Sequence, residues 1–161
     1  MQSITVIAMG KVHKGFMLEG CEEYQKRLKT MCNLKIVQLE DVQLMEKNLS
    51  EAMIQKTLDK EAEEIIKNIP KQSYIIAMCI EGKQVSSEEL ARLFSEKYVE
   101  GYSNICFIIG SSHGLSDKVK KMANLKLSMS KMTFPHQLAR VMLLEQIYRA
   151  FSILGGSKYH K

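Results

Sequence analysis

The sequence predicts a single α/β domain, residues 1–161, built on a mostly parallel sheet. Three observations support this prediction. Short apolar runs alternate with segments of helical periodicity along the whole chain. No linker, low-complexity segment or internal repeat divides the 161 residues, a length that suits one compact domain. The composition, 45% hydrophobic and 25% charged, allows a substantial core.

The first half of the chain alternates strands and helices. Residues 3–9 predict a strand, 15–28 a helix and 34–39 a second strand. Ser50 is expected to cap a long helix that Pro70 stops. The apolar face of this helix would carry Ile54, Leu58, Ala62, Ile65 and Ile69.

The middle of the chain carries two continuous apolar runs. Residues 74–80 and 105–109 predict strands that are covered on both faces. Residues 81–83 are expected to turn, and the sequence Ser-Ser-Glu-Glu at 86–89 is a capping box that opens a helix to about residue 100.

The last third repeats the alternation. A loop at 110–115 leads to a short helix, capped by Ser116 and ending near residue 123. A short strand at 125–128 and a loop at 129–134 lead to the last helix. That helix is expected to start at Pro135, a residue favoured in the first turn, and to end near residue 154.

Ligands of parallel sheets bind at the carboxyl ends of the strands, which here are the loops after residues 80, 109 and 128. These loops contain neither a GxGxxG fingerprint nor a P-loop, so a nucleoside ligand without a phosphate run is the more consistent occupant. Gly110 would let the backbone approach such a ligand. Met129, Met132 and Phe134 suit an adenine or a sulfonium, or fold their loop onto the core.

Two other functions remain open at this point. Residues 110–114 match G-x-S-x-G, the nucleophile elbow of serine hydrolases, with Ser112 as nucleophile and His136 or His160 as base. The net charge of +5 is compatible with RNA, so a non-catalytic RNA-binding module is the third hypothesis. His136 and Arg140 lie four apart at the start of the last helix and could share a face.

Several classes of protein are disfavoured by the sequence. The four cysteines form no CxxC pair, and we expect buried, reduced thiols and no metal site. No apolar run is long enough to cross a membrane, and no secretory signal is visible. A cytoplasmic location is therefore expected.

The chain resembles the RlmH family of large-subunit rRNA methyltransferases, within the SPOUT superfamily. The matching segments are residues 80–83, 107–110, 113–116, 127–140, 145–150 and 159–161. The resemblance spans the whole chain and is most specific from Met78 onward. It departs at Ser111, where family members commonly have a second glycine, and at Lys158, where many have a proline.

The resemblance implies transfer of a methyl group from S-adenosylmethionine to N3 of a pseudouridine in 23S rRNA on the assembled ribosome. It also implies a C-terminal deep trefoil knot and a homodimer whose substrate site is formed by both subunits. The implied cofactor contacts are Met78, Gly110, Met129, Ser130, Lys131, Met132, Thr133 and Phe134. For the acceptor, His136, Tyr159 and His160 are candidates for handling the proton. Arg140 is a candidate for stabilising a developing enolate oxygen or binding phosphate.

Overall fold

The structure, a computed structural model, describes residues 1–42 and 49–161. Its centre is a five-stranded sheet in the order β2-β1-β4-β3-β5, and every pairing is parallel. The prediction of an α/β fold on a parallel sheet is confirmed. The strands are β1 (Ser3–Met9), β2 (Asn33–Leu39), β3 (Ser73–Lys83), β4 (Asn104–Ile109) and β5 (Leu125–Leu127).

The helices follow the predicted pattern of caps. Ser50 accepts a hydrogen bond from the backbone N–H of Met53, and Ser86 and Glu89 form the reciprocal capping box. The last helix is predicted to start at Pro135, but Pro135 is its N-cap and the helix begins at His136. The helices are α1 (Phe16–Leu28), α2 (Glu51–Asn68), α3 (Ser87–Val99), α4 (Asp117–Met122) and α5 (His136–Leu154).

Both faces of the sheet are covered, as two separate core clusters show. One contains Ile4, Val6 and Ala8 of β1 together with buried residues of α1, α3 and α5. The other contains Ile7 and Met9 of β1 together with buried residues of α2 and α4. Successive side chains of a strand point to opposite faces, so β1 contributes to both clusters and is buried from residue 4 onward.

The prediction of a turn at residues 81–83 is wrong, because β3 continues to Lys83. The register of β3 against β5 shifts between Met78 and Lys83, which both pair with Leu127. Gly82 allows this approach, since a Cβ there would lie 2.7 Å from the backbone of Leu127. The apolar run is also not covered to its end, because Ile80 is 49% exposed.

The four cysteines are free thiols, and Cys21, Cys32 and Cys106 are buried. Burial raises the pKa of Cys32 to about 11 and that of Cys106 to about 12, so both remain protonated and unreactive. Among the described residues, no helix combines the length and apolar character needed to span a membrane. The trefoil knot implied by the resemblance stays a prediction.

Phe94 is a fully buried contact of α3 with the rest of the core, with ring centroids 6.0 Å from Phe107 and 5.3 Å from Phe151. We expect Phe94→Ala to lower the free energy of unfolding by about 3–5 kcal/mol, because it leaves a cavity in a packed core. Tyr98→Ala, on the exposed side of the same helix, is the matched control and should cost about 0.5 kcal/mol or less. Urea unfolding of both variants measures this. A loss of unfolding free energy below about 1 kcal/mol for Phe94→Ala would contradict the placement of Phe94 in the packed core.

Candidate functional site

A cavity of about 600 Å³ opens at the carboxyl ends of β3, β4 and β5. This volume lies within the range of about 300–1,000 Å³ found for small-molecule sites. Met78, Leu127, Met129 and Phe134 form much of its apolar wall. Serine and threonine side chains at 111, 112, 130 and 133 provide its polar edges. The three loops selected from the sequence therefore meet around one cavity.

The predicted cofactor contacts come together with one exception. The residues that line the cavity are Met78, Gly110, Met129, Ser130, Met132, Thr133 and Phe134. Lys131 lies in the same loop but is exposed and does not line the cavity. Ile80, Ser111 and Ala139 also line the cavity, although they were not among the predicted contacts. Only their positions next to the predicted loops could have indicated them.

The loop after β4 is a tight turn that brings its backbone to the cavity. The backbone N–H of Gly114 donates to the carbonyl oxygen of Ser111 at 2.9 Å. A Cβ on Gly110 would lie 2.2 Å from the carbonyl oxygen of Gly114, so this position accepts no side chain without opening the loop. Ser111 itself has no positive φ, so its replacement of a glycine causes no backbone strain.

The loop at 129–134 is ordered by its own serines. The hydroxyl of Ser128 donates to the carbonyl oxygen of Ser130 at 2.8 Å, and the hydroxyl of Ser130 accepts from the N–H of Met132 at 3.1 Å. Met129 packs against the core, whereas Met132 is 72% exposed while still lining the cavity. The loop is therefore held partly by core packing and partly by local hydrogen bonds, and both of its methionines line the cavity.

Arg140 is not brought to the cavity. It is buried, and its two terminal nitrogens donate to the carbonyl oxygen of Gly10 at 2.8 Å and to Oε1 of Gln38 at 2.7 Å. Burial lowers the pKa of Arg140 from its ordinary value. Its partners precede it in the chain by 130 and 102 residues, and no local pattern could have indicated them. Its observed role is to tie the start of α5 to the end of β1.

His136 lines the cavity as the first residue of α5. Its Nε2 lies 3.3 Å from the point where a Cβ on Gly10 would be, so the ring packs against the end of β1. His136 also borders a smaller groove of about 250 Å³, together with Lys14 and Phe16. Phe16 is 74% exposed. The imidazole thus faces both the cavity and the groove beside it.

The tail is fixed to α5 and α3 and is not frayed. The phenol of Tyr159 donates to Oε1 of Glu145 at 3.1 Å, and Nε2 of His160 lies 2.7 Å from Oε1 of Glu88. Arg149 approaches Nδ1 of His160 at 3.2 Å. Since an arginine only donates, Nδ1 accepts and Nε2–H donates to Glu88.

The tail does not line the cavity of its own chain. Glu145, which holds Tyr159, comes nine residues after His136, which corresponds to about 13 Å along α5 at ~1.5 Å per residue. Burial, followed by hydrogen bonds with Tyr24 and Glu145, raises the pKa of the Tyr159 phenol well above its usual range. This phenol stays protonated at neutral pH and acts as a hydrogen-bond donor.

The geometry does not support a nucleophile elbow at Ser112. A nucleophile elbow needs a helix directly after the serine, but α4 begins only at Asp117. Ser112 instead occupies the tip of the turn that Ser111 and Gly114 close, and its side chain is exposed. The hydrolase hypothesis is therefore not favoured.

Comparison with known proteins gives a consistent result. The family model described as "Predicted SPOUT methyltransferase" matches residues 2–160. The chain is 46% identical to a ribosomal RNA large subunit methyltransferase H of Clostridioides difficile (strain 630), over 99% of both chains. It is 48% identical to the protein of the same name from Clostridium botulinum (strain Alaska E43 / Type E3), again over 99% of both chains.

Solved structures support the fold alone. A probable methyltransferase from Bordetella pertussis Tohama I superposes with a TM-score of 0.55 at 13% identity, covering 93% of this chain and 95% of that one. A probable methylase family protein from Haemophilus influenzae Rd KW20 gives a TM-score of 0.52 at 17% identity, covering 99% of this chain and 71% of that one.

Gly110→Ala tests the close approach in the loop after β4. SPOUT methyltransferases use S-adenosylmethionine as methyl donor, and we expect the added methyl to push Gly114 away and weaken binding of that donor by at least about tenfold. Gly155→Ala, at the end of α5 where no positive φ is present, is the control and should bind normally. Isothermal titration calorimetry measures both affinities. Unchanged affinity in Gly110→Ala would rule out a tight loop at this position.

Proposed function

Because the chain belongs to the SPOUT methyltransferase family, we propose that it methylates N3 of a pseudouridine in 23S rRNA on the assembled ribosome. The observation that carries this proposal is the 46% and 48% identity, over nearly the full length, to relatives named ribosomal RNA large subunit methyltransferase H. We propose a cytoplasmic location, because the proposed substrate is the ribosome.

The cavity has the chemistry that S-adenosylmethionine requires. Met78, Met129 and Phe134 offer polarizable and aromatic contacts to an adenine ring. Gly110 leaves backbone groups open to polar edges of the ligand. When bound, S-adenosylmethionine supplies a methyl group that its sulfonium already activates, so the chain needs no nucleophile of its own. Its residues have to align the acceptor nitrogen and exclude water.

The chain must also remove a proton, because N3 of a pseudouridine carries one. His136 is the candidate acceptor, since it lines the cavity and a neutral imidazole has a ring nitrogen that can accept a proton. Tyr159 is unsuited to act as a base because its raised pKa keeps the phenol protonated. Arg140 would act indirectly, by holding the start of α5 and therefore His136 in place.

We also propose that the site is completed by a second copy of the chain. No residue of the tail lines the cavity of its own chain, and Glu145, which holds Tyr159, lies about 13 Å along α5 from His136. In a twofold dimer, the same tail can lie at the partner's cavity. Tyr159 and His160 would then contact the RNA or the reacting base from the opposite subunit.

The proposed function is tested by calorimetric titration with S-adenosylmethionine, followed by transfer of a radiolabelled methyl group to ribosomes that lack the modification. We expect saturable binding of one donor per cavity and incorporation that stops at one methyl per ribosome. A non-catalytic RNA-binding module would bind ribosomes but neither bind the donor specifically nor transfer a methyl group. Absence of both activities in the purified protein would disprove the proposal.

His136→Ala and His160→Ala separate the two proposed halves of the site. We expect each variant to lower the single-turnover rate by about 10²–10⁴ if its imidazole handles the proton, with donor affinity retained. If the site is shared between subunits, mixing the two variants restores about a quarter of wild-type activity, because half of the dimers regain one complete site. A site within one chain predicts no recovery on mixing. An unaltered rate in His136→Ala would exclude it as the proton acceptor.

A further inference from the structure

Two acidic residues of α2 hold the loop after β4 at both of its ends. Oε1 of Glu61 accepts a hydrogen bond from the hydroxyl of Ser111 at 2.8 Å. Oδ1 of Asp59 accepts one from the hydroxyl of Ser116, also at 2.8 Å. Between these two anchor points lies the turn that lines the cavity. Neither carboxylate lines the cavity itself.

Glu61 is almost fully buried, which is unusual for a side chain that carries a carboxyl group. Its side chain is 4% exposed, beside the buried Leu58 and Ala62 of the same helix. Its Oε2 has no hydrogen-bond partner within residues 1–42 and 49–161. A desolvated carboxyl group costs stability unless its hydrogen bonds compensate, so the bond with Ser111 is the main contact that retains this group in place.

We propose that Glu61 is a positioning residue of the methyl-donor site, acting through the hydroxyl of Ser111 on the backbone turn that lines the cavity. This inference rests on the proposed function, because it assumes that the cavity takes S-adenosylmethionine. The bond between Asp59 and Ser116 is the second anchor of the same turn, since Ser116 also caps α4. Glu61 does not contact the donor and takes no part in proton transfer.

The positioning role requires an acceptor atom at Glu61 and not a negative charge. Burial raises the pKa of Glu61, and the neighbouring Asp41 acts in the same direction. The hydrogen bond from Ser111, the backbone N–H of Val42 and the nearby His113 act in the opposite direction. In either protonation state one carboxyl oxygen remains free to accept from Ser111. A glutamine at this position keeps such an oxygen, whereas a leucine does not.

Four variants test the inference by calorimetric titration with S-adenosylmethionine: Ser111→Ala, Glu61→Leu, the double variant and Glu61→Gln. We expect each of the first two to weaken binding about tenfold. The double variant should also lose about tenfold and not about a hundredfold, because both changes remove the same bond. Glu61→Gln should stay within about threefold of wild type because it keeps the acceptor oxygen. Glu63→Gln, an exposed position on α2, is the control for altered helix charge.

The kinetic signature distinguishes positioning from a general loss of structure. The inference predicts a raised KM for S-adenosylmethionine with the single-turnover rate at saturating donor nearly unchanged. Thermal unfolding of each variant is recorded in parallel. If Glu61→Leu does not fold, the donor affinities of Ser111→Ala and Glu61→Gln still test whether Glu61 positions the turn. Donor affinity within twofold of wild type in Ser111→Ala, or multiplied losses in the double variant, would overturn the inference alone. Failure of the wild-type chain to bind the donor would instead disprove the proposed function.

Discussion

All five strands run in one direction, and this constraint decides where chemistry can occur on the molecule. The carboxyl ends of β3, β4 and β5 meet at one edge, so loops that lie far apart in the chain become walls of one cavity. The end of β1 is connected to the same region, because the carbonyl oxygen of Gly10 accepts a hydrogen bond from Arg140. His136, at the start of the same helix, depends on that connection for its position beside the cavity.

The elements that could be predicted are those that depend on residues close together in the chain. The caps at Ser50 and Ser86 and the apolar runs of the central strands are of this kind, and they agree with the structure. The continuation of β3 through Gly82 could not be predicted, because it depends on contact with Leu127, which is 45 residues later in the chain. The partners of Arg140 lie still further away, and only the assembled sheet brings them together.

The candidate site also has features that could be predicted from the sequence and features that could not. Three loops could be selected because ligands of parallel sheets bind at strand ends, but the sequence could not show that Lys131 leaves the cavity while Met132 borders it. The identity of the donor came from the resemblance and from family membership, since many nucleosides would suit a cavity of this size and polarity. Ser111 differs from the family pattern without straining the backbone, and its hydroxyl instead bonds to a buried acid on a neighbouring helix.

The cavity wall consists of two kinds of surface, and the difference limits how the enzyme can be redesigned. At Gly110 the backbone already lies against the backbone of Gly114, so this position offers no volume to gain. Met78 and Met129 instead present long unbranched side chains. A variant meant to accept a donor with a larger alkyl group needs extra space, and shortening these methionines is the change that can provide it. Engineering for alkyl transfer therefore begins with the methionines and leaves Gly110 unchanged.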